Sequence, residues 1–139
     1  ECFGGIGFVE ETGMARLFRT SPLNAIWEGS GNIMALDLQR ALSDKTVRAV
    51  FNEDLTRIAA EIPETATLVE GLRSERPENL RLFAQQAALV FSADALAGSA
   101  LRDMYVQTRI LNPTPIWGAF AGRVDLTPAI ARTTNWMMG

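Results

Sequence analysis

Asn24–Arg40 reads NAIWEGSGNIMALDLQR. Its second half, with the Ala41 that follows it, sets Ile33, Leu36, Leu38 and Ala41 at helical spacing, directly after Gly-Ser-Gly. Ser30 or Gly31 can cap the helix that begins there, and the pattern predicts a helix over about Asn32–Leu42 with that stripe buried. The first half holds a single carboxylate, Glu28, between Trp27 and Gly29. Two readings of Glu28 stand side by side. An acid just before a helix gains ~0.3–1 kcal/mol from the helix dipole, and Ser30 as a cap adds about 1 kcal/mol. Alternatively the acid is a base aimed at a substrate. Trp27 puts an apolar face beside it and the flanking glycines carry no side chains, so a desolvated carboxylate there has a raised pKa and accepts protons more readily.

The same periodicity extends along the chain. A short helix is predicted around Met14–Arg19, stopped at Ser21-Pro22 because the residue before proline leaves the helical region. Ser43-Asp44 is a cap signal for a helix over about Lys45–Glu61, with Val47, Val50, Phe51, Leu55 and Ile58, followed by Ile62, as its apolar side and Pro63 as its stop. A weaker helical stretch covers about Glu64–Leu72. The polar segment GLRSERPEN reads as a connection. A long helix is predicted from Pro77 to about Gly98, with proline in its first turn. A further one runs over about Ala100–Leu111, ended by NPTP, and Thr127-Pro128 starts a last short piece. No period-2 strand pattern occurs. The fold class is all-α, a helical bundle.

Composition narrows the chemistry. The chain has 139 residues, 47% of them hydrophobic, so it can bury a core. It contains no histidine and one cysteine, Cys2. A thiolate zinc site, an internal disulfide and the His-dependent nucleophile machineries are thereby excluded, and no metal site is expected. Acid–base work falls to a carboxylate, to Tyr105 or to a group on another chain or domain. The net charge of −3 is a poor starting point for nucleic-acid binding, which depends on neutralising phosphates. No apolar run approaches the ~20 residues of a membrane span. With no Met and no signal pattern at its start, the chain reads as a piece of a longer protein, and the lone cysteine suits a reducing cytoplasm.

GGIG at Gly4–Gly7 is not a dinucleotide fingerprint, since Glu10 occupies the third glycine position and no strand precedes it. It is either a simple glycine turn or a place where a ligand pyrophosphate approaches bare backbone. Arg16, Arg19 and Arg40 are read as solvated or ion-paired. Trp117, Phe120, Trp136, Met137 and Met138 are read as core or interface.

Taken together, GGIGF, ARLFR and PLNAIWEGSGNIMALDLQRAL resemble the C-terminal signature of the flavin-dependent acyl-CoA dehydrogenase family. The resemblance covers residues 1–42. The form WEGSGN, with Trp27 and Asn32, is similar to the AidB-like branch, tied to the adaptive response to alkylation damage, which adds a helical region after the shared core. The resemblance implies two parts. Residues 1–42 would end the family's C-terminal helical domain, and residues 43–139 would be the extra region.

The resemblance also implies roles. Glu28 corresponds to the base that removes the α-proton of an acyl-CoA thioester, with hydride passing from the β-carbon to the FAD cofactor. Trp27 would line the acyl pocket. Gly4 and Gly5 correspond to backbone that touches the FAD pyrophosphate, and Ser30 and Asn32 to residues that hydrogen-bond FAD. Arg40 corresponds to an arginine near the active site or for duplex DNA. The partners implied are an acyl-CoA substrate, the absent N-terminal and middle domains, and further copies in a homo-oligomer (tetramer or dimer). A flavoprotein that mainly binds and protects duplex DNA, with vestigial dehydrogenase activity, is the alternative reading.

Overall fold

The computed structural model describes residues 3–27, 29–74, 77–113, 125, 127, 128, 130 and 131. Among the described residues every regular element is helical, in agreement with the all-α expectation. The α-helices are α1 (Met14–Thr20), α2 (Gly31–Ala41), α3 (Lys45–Glu61), α4 (Ala66–Leu72), α5 (Leu80–Ala95) and α6 (Arg102–Tyr105).

Local chemistry explains most boundaries. Asp44 caps α3, its Oδ1 accepting from the Thr46 and Val47 amides at 2.8 and 3.1 Å. Pro63 ends α3 and opens a single 3-10 turn, Pro63–Thr65, ahead of α4. Asp125 accepts from the Thr127 amide at 2.9 Å, and Thr127, Pro128, Ile130 and Ala131 are helical, as expected.

Two boundaries differ from the sequence reading. The long helix starts at Leu80, not Pro77. Asn79 takes an extended conformation and its side chain accepts from the Leu82 amide at 3.0 Å, so a stronger cap overrides the proline signal. The expected single helix over 100–111 is α6 followed by a π-helix, Val106–Leu111. The wider turn ends where the Asn112 amide and side chain both donate to the Gln107 carbonyl, at 3.1 and 3.2 Å.

The core joins Leu42, Leu55, Ile58, Ile62, Val69, Leu72, Phe83, Ala87, Val90, Ala93 and Val106. Helix α5 is central and packs against α2, α3, α4 and α6. The small Ala87 and Ala93 on its buried side let neighbouring helices approach. Phe51 of α3 stacks at 5.7 Å from Phe91 and lies 6.4 Å from Phe83, ring centre to ring centre. The core runs across residue 42, with Leu42 on one side and the later helices on the other.

The stripe expected on α2 is corrected. Its buried side carries Ala35 and Leu42, with Leu38 partly covered, whereas Ile33 and Leu36 are about half exposed. Among the described residues α2 packs mainly on α5, which covers only a narrow stripe of it. Val47 and Val50 at the start of α3 are exposed too, while Phe51 is partly buried against the core and Leu55 and Ile58 are fully buried.

Candidate functional site

Residues 3–27 form a compact arm of short turns around α1. Gly4, at φ +57°, opens the 3-10 turn Gly4–Gly7, and Gly13, at φ +70°, turns the chain into α1. A left-handed φ is cheap for glycine and strained for other residues. The arm is tied by Arg19, whose Nη1 and Nη2 donate to the two Glu10 carboxylate oxygens at 2.7 and 3.0 Å. That fork holds the Glu10 carboxyl below its usual pKa. The Thr12 hydroxyl adds a bond to the Ile6 carbonyl at 2.8 Å.

Between these segments lies an open cavity of about 870 Å³, lined among others by Phe3, Gly4, Phe8, Met14, Phe18 and Arg19. Its rim is apolar and uncovered: Phe8 is 85% exposed and Phe18 76%. Gly4 and Gly5 would meet no other atom within 4 Å if given a Cβ, so their backbone faces open space. That openness fits a bulky anionic group lying against the main chain. The turn packs on α1 and on the Glu10–Thr12 turn.

Trp27, Ser30 and Asn32 do not line that cavity; they lie at and just before the start of α2. A 3-10 turn, Ser21–Ala25, leads to Trp27, which is 64% exposed. Glu28 lies outside the described residues. Gly29 stands at φ +116°, with the Ile33 side chain 3.0 Å from where its Cβ would be, so this turn requires glycine. Ser30 is the N-cap residue by its extended backbone, yet its hydroxyl makes no capping bond. The cap expected from its side chain is therefore not formed, and the hydroxyl remains available. Asn32 follows in the first turn.

Arg40 is not part of this cluster. It sits in the last turn of α2, about 15 Å along the axis from Ser30 at 1.5 Å per residue. Its Nη2 pairs with Asp37 at 2.7 Å on the surface. Arg19 is also ion-paired, as expected for these arginines.

One residue escaped the sequence reading. Arg81, in the first turn of α5, reaches across to the first turn of α2. Its Nη2 lies 3.1 Å from where a Gly31 Cβ would be, and its Nη1 donates to the Asn32 Oδ1 at 3.4 Å. The separation of 49 residues leaves no spacing signal. The available hint was electrostatic: a cation in the first turn of a helix opposes the dipole. Among the described residues no cluster of acidic, Cys or His side chains could hold a metal, and no helix is long and apolar enough to cross a membrane.

Residues 1–43 match the family model for the acyl-CoA dehydrogenase C-terminal domain. This segment belongs to the acyl-CoA dehydrogenase family. The chain is 58% identical over 43 residues to AidB of Escherichia coli (strain K12), an alignment covering 31% of this chain and 8% of that protein. It is 47% identical over 45 residues to acyl-CoA dehydrogenase family member 11 of Caenorhabditis elegans, covering 32% of this chain and 7% of that one. Over 136 residues, 98% of the chain, it is 31% identical to 3-methylmercaptopropionyl-CoA dehydrogenase of Ruegeria pomeroyi (strain ATCC 700808 / DSM 15171 / DSS-3), covering 21% of that protein. The alignments thus cover about a fifth or less of the length of these relatives. No solved structure matches the chain.

Proposed function

We propose that this chain is the C-terminal part of an FAD-dependent acyl-CoA dehydrogenase of the AidB-like branch. Its full-length form would oxidise a short or branched acyl-CoA at the α and β carbons. One observation carries the reading. The segment that matches the family also presents an uncrowded glycine turn and a helix start with an unused hydroxyl.

Glu28 takes the α-proton of the thioester. Trp27 beside it in sequence offers an apolar face, and water excluded there in the full-length protein would strengthen the carboxylate as a base. The backbone N–H of Glu28 helps to hold the thioester carbonyl and to stabilise negative charge as it grows there. Gly4 and Gly5 admit the FAD pyrophosphate, and Ser30 and Asn32 offer hydrogen bonds to the same cofactor. FAD, when bound, supplies the two-electron acceptor that no side chain here can provide.

Residues 43–139 form the additional helical region. The uncovered Phe3, Phe8, Phe18, Ile26 and Trp27 support a surface closed by the remaining domains or by further copies in a homo-oligomer. The chain alone is accordingly expected to be inactive, and a cytoplasmic parent suits its low cysteine content. The DNA-protecting alternative receives less support, because Arg19, Arg40, Arg57 and Arg73 each face a carboxylate.

The test uses the full-length parent. Its visible absorption is recorded, and isovaleryl-CoA is added without oxygen, followed by a panel of other acyl-CoA thioesters. Bleaching of a flavin band is the expected result. A parent with no flavin band, or one that no thioester bleaches, overturns the proposal.

A further inference from the structure

We propose that Arg81 is a positioning residue for the flavin-contacting turn, orienting the Asn32 amide across the α2–α5 interface. The inference rests on the FAD role proposed for Asn32. Three observations converge. Arg81 Nη1 donates to Asn32 Oδ1, its Nη2 lies close against Gly31, 3.1 Å from where a Cβ would be, and among the described residues no carboxylate pairs with it.

The consequence is chemical. An Asn amide has one acceptor oxygen and one donor nitrogen, and which end points where is set by its partners. A guanidinium has only donors, so it fixes the oxygen of Asn32 toward α5. The nitrogen is then turned outward as a donor. The atom that Asn32 contacts on a bound ligand must therefore be an acceptor, such as a flavin carbonyl or a phosphate oxygen. Gly31 permits this arrangement: any Cβ there would push the guanidinium aside by a few tenths of an ångström. The extra helical region thus supplies a residue to the site through α5.

The experiment is a double-mutant cycle in the full-length parent, reading FAD affinity of the apoprotein by flavin fluorescence and folding by thermal melt. Arg81→Met keeps an unbranched stem over Gly31 and removes every donor. It is expected to weaken FAD binding about tenfold, the size of one charge-assisted hydrogen bond. Asn32→Ala is expected to weaken it similarly, and the double variant no further than Asn32→Ala alone, because Arg81 acts through Asn32. Arg81→Lys is expected to recover part of the loss. The melting temperature of each apoprotein stays at the wild-type value. Additive losses, or FAD affinity unchanged in Arg81→Met, overturn this inference alone. A wild-type parent that binds no FAD overturns the proposed function and this inference with it.

Discussion

Arg57 on α3 grips Asp94 on α5 through two hydrogen bonds of 2.8 Å, one to each carboxylate oxygen. The same guanidinium touches Asp54 and Glu61 at 3.4 Å. This fork ties the two longest helices at the edge of the core, and it holds the Asp94 carboxyl below its ordinary pKa. Asp44 is lowered too, by the Val47 and Thr46 amides it caps.

Both carboxyls titrate lower in the folded state than in the unfolded chain. Their stabilising effect is complete above the unfolded value of about 4 and disappears as pH falls through the lower folded values. Thermal melts from pH 7 downward should stay level to about pH 5 and then decline steeply. Asp94→Asn should lower the melting temperature at pH 7 and flatten the acid limb. An unchanged acid limb would remove Asp94 from the explanation.

Leu55 is wholly buried and Leu36 is 52% exposed. Leu55→Ala should cost about 2–5 kcal/mol in urea unfolding of this chain. Leu36→Ala should stay within about 0.5 kcal/mol. Equal losses would mean that the outer face of α2 is covered after all.

Gly29 and Gly5 should respond oppositely. Gly29→Ala forces an alanine into φ +116° against Ile33 and should cost about 1–3 kcal/mol of stability. Gly5→Ala meets nothing and should leave unfolding within about 0.5 kcal/mol of wild type. In the full-length parent, however, Gly5→Ala should weaken FAD binding, because its methyl occupies the space proposed for the pyrophosphate. Undiminished FAD affinity would sink that role.

Glu28→Gln in the full-length parent should retain the flavin band while losing bleaching by thioester. The expected drop in the reduction rate is at least about 100-fold, the low end for a general base. Stopped-flow absorption at the flavin band measures it, and a rate near wild type would place the base elsewhere.

Duplex DNA binding by this chain should be weak and nearly flat across a salt series. The surface arginines Arg19, Arg40 and Arg57 are already paired, and the net charge is −3. A log–log slope of several units, the mark of released counterions, would favour the DNA-protecting reading instead.

Helix existence was legible from local pattern. Asp44 before α3, Pro63 after it and the three-four spacing of Leu55, Ile58 and Ile62 are signals carried by neighbours in sequence, and the structure follows them. The candidate site residues Gly4, Gly5, Trp27, Glu28, Ser30 and Asn32 were all named from local motifs, whereas Arg81, 49 residues from Asn32, was not. The start of α5 was misread because two local signals competed and the side chain of Asn79 outbid the proline. The π-helix over Val106–Leu111 carries no sequence mark, since its residues suit an ordinary helix equally well.

By itself the sequence determined the all-helical class, the Asp44 cap and the Pro63 stop, and the order of motifs that carries the family, because each depends on residues within a turn or two of one another. Only the tertiary structure decided which side of α2 is buried and which cation meets its first turn. Ile33 and Leu36 look like core until α5 is seen to cover the side with Ala35 and Leu42. Arg81 reaches Asn32 only because the chain returns past it after 49 residues. Burial and cross-helix contact are properties of the neighbours that folding brings, and periodicity can say that a face is apolar without saying what lies opposite it.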